Sequence, residues 1–105
     1  MDAPAEIFQN HYLRPIIKAK NEYIMGMFQQ HPSSKTLIFD NPNEARNKIE
    51  NLLKRDLQLR NLLIGAILSE LNNETLIDYF SNKNELNRRI VSIISKRIYD
   101  NLYTQ

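Results

Sequence analysis

No cysteine occurs in the 105 residues, which removes disulfides, thiolate nucleophiles and thiolate metal sites at once and suits a reducing compartment. Glycine is nearly as scarce. With Gly26 and Gly65 alone, no glycine-rich phosphate cradle can be assembled. Four prolines add little turn material, and no stretch of six or more residues alternates apolar with polar side chains, so strands and hairpins are not expected. The two histidines, His11 and His31, lie twenty positions apart without a carboxylate or second histidine at a metal-ligand spacing. Ser33 and Ser34 do not sit in a nucleophile elbow. No metal, no cofactor and no enzymatic activity are therefore expected.

Long apolar runs are missing too. The longest, Leu62 to Leu68 interrupted by Gly65, falls far short of the roughly 20 residues a membrane span needs. The N-terminal MDAPAEIF has no basic segment ahead of an apolar one, as a secretory signal would. Nor does one sign of charge dominate: 14 basic against 12 acidic residues give a net charge of +2, a small excess for a nucleic-acid binder. A cytoplasmic protein is the expectation, and membrane attachment is not expected.

What the chain does contain is enough apolar material to fold. Apolar residues make up 42% and charged residues 25%, close to the globular average. One domain spanning residues 1–105 is expected, burying about 65% of the surface its unfolded chain exposes. The fold class is all-α: an irregular antiparallel helical bundle of four to six helices around a central apolar helix. That helix is Leu57 to Leu71, apolar around more than half its circumference, so that neighbouring helices or a second chain must cover it.

Around it, a first helical segment runs from Pro4 to about Gln30, with Phe8, Tyr12, Ile16, Ala19, Tyr23 and Met27 stepping along one face. Pro15 lies inside it and clashes with the carbonyl of His11, so a kink or break is expected near Tyr12 to Arg14. His31 to Asn41 reads as a loop. Asn41 then caps a helix with Pro42 in its first position and Glu44 in its first turn. Its apolar stripe, beginning with Ala45 and Ile49, keeps helical spacing to about Asn72, as one long helix or as two with a break near Asp56, whose side chain could cap the second. Asn72 and Asn73 stop that stretch and start a short helix, 74–80. After a turn at 81–84, a last helix runs to about Leu102 with Leu86, Ile90, Ile93, Ile94, Ile98 and Leu102 inward.

Two groups are candidates for function. Met25, Met27 and Phe28, with Leu37, Ile38 and Phe39 across the loop, form either a satellite core or an exposed patch; with the outward side of Leu59 and Leu62 they are the candidate protein-binding residues. The leading reading is a small non-enzymatic protein-binding module, a regulator, adaptor, inhibitor or immunity-type factor, whose partner is another protein or a second copy in a homodimer. The alternative is a helix-turn-helix-like nucleic-acid-binding regulator that uses Arg88, Arg89, Lys96, Arg97 and Tyr103 of the basic C-terminal helix. Against it, Glu85 and Asp100 stand one turn from Arg89 and Lys96, where they can neutralise the patch. A solvated outer face is the plainer reading of that helix.

Overall fold

The structure, a computed structural model, describes residues 4–37 and 41–103. These are all-α, and no strand occurs among them. The helices are α1 (residues 4–19), α2 (Asn21–Gln30), α3 (Pro32–Lys35), α4 (Pro42–Arg55), α5 (Leu57–Leu68), α6 (Asn73–Ser81) and α7 (Lys83–Tyr103). The seven helices among the described residues exceed the expected four to six because the anticipated loop holds one: α3 is a single turn, begun by Pro32 and capped by His31, whose Nδ1 accepts the Ser33 N–H at 3.2 Å.

The boundaries around α4, α5 and α6 follow the capping signals. Asn41 Oδ1 accepts the Asn43 N–H at 2.9 Å, Asp56 Oδ1 the Leu59 N–H at 3.1 Å, and Asn72 Oδ1 the Thr75 N–H at 2.8 Å. Each side chain satisfies a donor that the first helical turn leaves unpaired. The expected four-residue turn before the last helix shrinks to Asn82 alone.

α1 departs from its expected face. It runs on past Pro15 and stops only at Lys20, but residues Gln9–Leu13 form a π-helical turn in which the Arg14 N–H donates to the Gln9 carbonyl. Such a turn inserts one extra residue and widens the helix, which accommodates a proline whose ring would otherwise strike the preceding turn. The buried positions are accordingly Ala5, Phe8, Leu13, Ile17, Ile24 and Phe28, with a step of five from Phe8 to Leu13. The stripe expected through Tyr12, Ala19 and Tyr23 has rotated outward, leaving Tyr12 37% and Tyr23 43% exposed.

The central rod is α7 rather than Leu57–Leu71. It packs against α4 most extensively, and also against α1, α2, α5 and α6. Leu86, Ile90, Val91, Ile94 and Ile98 are buried along it, as are Asn87 and Ser95. Ile93 is only half-buried and Leu102 is exposed. α5 buries Leu59, Leu63, Ile64 and Ile67 but turns Leu57 and Leu62 to solvent, so it lies at the side of the core.

The polar atoms of the interior are mostly paired. Ser95 Oγ donates to the Val91 carbonyl at 2.7 Å. The Tyr79 hydroxyl donates to Asn87 Oδ1, pinning α6 to α7 in a site where burial, partly offset by the Asn87 bond, pushes the phenol pKa upward.

Two substitutions separate these features. Leu13→Ala should destabilise the fold by about 2–5 kcal/mol in urea unfolding, while the neighbouring Tyr12→Ala should cost under about 1 kcal/mol. The reverse order would restore the unshifted face. Tyr79→Phe leaves Asn87 Oδ1 without its donor and should lower stability by about 1–3 kcal/mol with the urea m-value unchanged.

Candidate functional site

The described residues singled out for protein binding fall into three environments. Phe28 is 3% and Leu59 0% exposed. Both are core residues, so neither has an outward side to offer a partner: Phe28 completes the shifted α1–α2 stripe, and Leu59 faces inward from the first turn of α5. Met25, Met27 and Leu37 are half-buried against the same core, as a satellite cluster would be. Leu62 alone stands in solvent, at 41%. Ile38 and Phe39 lie outside the described residues.

A different corner carries the exposed apolar side chains. On α6, Ile77 is 65% and Phe80 59% exposed; three residues apart, they share the side of the helix opposite buried Tyr79 and Thr75. Beside it, a groove of about 440 Å³ runs between α1 and the end of α6. Pro4, Ala5, Ile7, Phe8, Tyr12 and Leu86 supply its apolar lining, and Asp78, Ser81 and Asn82 its polar part. Ile7 is 52% exposed. Sequence reasoning missed this corner because Ile77 and Phe80 fit the inner face of a short amphipathic helix as well as the outer one, and because the π turn brings Tyr12 to the surface. Leu57 and Leu62 do not make a comparable face, standing roughly 140° apart around α5.

The basic residues of α7 are largely paired. Arg88 and Arg89 both pair with Glu85, and Arg89 also donates to Gln9 Oε1 at 2.9 Å, so Arg89 fastens α7 to α1. Lys96 pairs with Asp100 at 2.8 Å. The ion pairs expected from the i,i+4 spacing are thus present. Tyr103 stacks obliquely near Tyr99, ring centres 5.0 Å apart. The single-residue turn at Asn82 is shorter than the three or four residues of a helix-turn-helix. Arg97 lines, together with Lys96, a cavity shared with Arg14 and Arg46.

A third cluster was not visible in the sequence. His31, Ser33 and Asp56 meet where α3 abuts the break between α4 and α5. The Ser33 hydroxyl donates to Asp56 Oδ2, and His31 Nδ1 lies 3.7 Å from the same oxygen. The order is that of a cap network rather than a nucleophile relay: the hydroxyl is bonded to the carboxylate, and His31 Nδ1 already accepts a backbone N–H. The Ser33 hydroxyl and then the Leu59 N–H, aided by the His31 ring, hold the Asp56 carboxyl below its usual pKa against the opposing effect of burial. Among the described residues no three or more His, Asp or Glu gather as a metal ion requires, and no helix is long and apolar enough to cross a membrane. No protein family matches the chain, and no curated protein or solved structure matches it.

The Asp56 network has a pH signature. A carboxyl whose pKa is lowered on folding contributes stability that is complete above its unfolded value of 3.8 and is lost as pH falls through the lower folded value. Asn at this position still caps α5 but carries no charge. Asp56→Asn should therefore melt below wild type near neutral pH and converge with it in thermal scans taken to about pH 2. A constant gap across that range would remove the carboxylate from the account.

Proposed function

We propose that this chain is a small, non-enzymatic protein-binding module of the cytoplasm, a regulator, adaptor, inhibitor or immunity-type factor, that engages another protein or a second copy of itself through the α1–α6 corner. The observation that carries the reading is the pairing of Ile77 and Phe80 on the open side of α6 beside a groove lined by Ile7 and Tyr12. Fully covering a side chain of this size is worth about 1.5–3 kcal/mol, before the cost of association. Several exposed at one corner are a stronger incentive than the scattered leucines of α5. Asp78, Ser81 and Asn82 supply the polar rim that such contacts usually have. The protein-binding residues are thus Ile7, Tyr12, Ile77 and Phe80, with Leu62 as an outlier.

A second copy is the first partner to test. Sedimentation of the wild-type chain over a range of concentrations should show reversible self-association that added salt does not weaken. Ile77→Ser combined with Phe80→Ser should abolish it while shifting folding stability by no more than about 0.5 kcal/mol at each site, since both side chains face water in the free chain. A wild-type chain that stays monomeric, and that retains no protein the double variant fails to retain, would overturn the reading.

A further inference from the structure

Four cationic side chains from three helices converge on one cavity of about 470 Å³: Arg14 from α1, Arg46 from α4, and Lys96 and Arg97 from α7. Ser92 and Ile93 of α7 contribute to the same wall. One carboxylate, Asp100, faces this group, and it is held by Lys96 at 2.8 Å. None of the three guanidiniums forms an ion pair among the described residues, so four cationic groups face a single carboxylate there. Arg46 makes no side-chain hydrogen bond or ion pair among the described residues, and Arg14 spends only its Nε, on Asn10 Oδ1 at 3.0 Å.

Arg97 is the most telling. Its Nε is buried with no acceptor, and its Nη1 reaches only Asn21 Oδ1, at 3.4 Å. The neighbouring amides keep it placed. Asn101 donates to the Arg97 carbonyl at 2.7 Å and exchanges hydrogen bonds with Asn21 at 2.8 and 3.2 Å, tying the end of α7 to the start of α2. A buried N–H group without an acceptor is costly, and like charges gathered at one cavity repel. An anion with several oxygens would relieve the repulsion and give the remaining guanidinium N–H groups acceptors.

We propose that this cavity binds a small phosphate-class polyanion. Guanidinium forks match the oxygens of a phosphoryl group two at a time, which a cluster of lysines would not do. The cavity volume falls within the range of small-molecule sites, and its lining contains no aromatic ring on which a base could stack, so the contacts are with phosphates rather than a nucleobase. A nucleic-acid duplex would draw instead on a basic stripe. The outward cations of α7, Arg88 and Arg89, are already committed to Glu85.

Isothermal titration with inorganic pyrophosphate and tripolyphosphate, against sodium chloride at matched ionic strength, tests the site. The full chain should bind one equivalent saturably, and its melting temperature should rise by about 4 °C or more when the site is filled well beyond its Kd. Arg14→Gln with Arg46→Gln should weaken binding about tenfold or more. Both side chains are exposed, so the double variant should fold, which circular dichroism checks. Arg88→Gln should bind as wild type does. So should Ile77→Ser with Phe80→Ser, because the site is independent of the apolar corner. Heats no larger than those of the salt control, or undiminished affinity in the Arg14 and Arg46 double variant, would overturn the proposal. So would duplex DNA binding that survives that double variant and is lost with Arg88 and Arg89.

Discussion

One rod, α7, meets α1, α2, α4, α5 and α6, and the architecture rests on its ability to present apolar groups in several directions at once. An amphipathic surface helix needs a single stripe, but a helix approached from several sides must bury a wider arc. α7 does so by adding Val91 to its isoleucine and leucine stripe and by including two polar residues whose hydrogen bonds are satisfied locally, Asn87 with Tyr79 and Ser95 with the Val91 carbonyl. Placing a polar residue on the inner face is tolerable when its partner is at hand, and Tyr79 supplies that partner from α6.

The same demand shapes the N-terminal helix. Pro15 cannot sit in an undisturbed α-helix without clashing with the turn before it, and the π turn removes the conflict while rotating the rest of the helix about its axis. That rotation selects Leu13 and Ile17 for the interior and delivers Tyr12 to the surface beside Ile7. The buried face of α1 and the contribution of Tyr12 to the exposed corner are therefore set by one local event. Arg14, immediately after the turn, reaches the basic cavity from the same helix.

Charge obeys a comparable logic. Within α7, Glu85 and Asp100 hold the cations within reach of one helical turn, so the outer face is largely self-neutralised. Arg97 forms no ion pair with these acids; it reaches Asn21 of α2 and lines a cavity with Arg14 of α1 and Arg46 of α4. The unneutralised arginines thus belong to different helices, and no inspection of one helical wheel would have grouped them.

The all-α class, the capped starts of α4 and α6, and the inner positions of α4 were legible in the sequence, as was Asp56 as a cap for a helix that could have run on unbroken, because each depends on residues within a turn or two of one another. Asn41, Asp56 and Asn72 each cap the helix directly after them, whatever the remainder of the molecule does. The tertiary structure alone decided which of two interleaved apolar stripes in α1 faces inward, which long helix is central, and which side chains remain outside. These choices depend on how helices distant in sequence share one small core. For that reason the apolar corner, the His31–Ser33–Asp56 network and the arginine cavity emerge only once the helices are assembled.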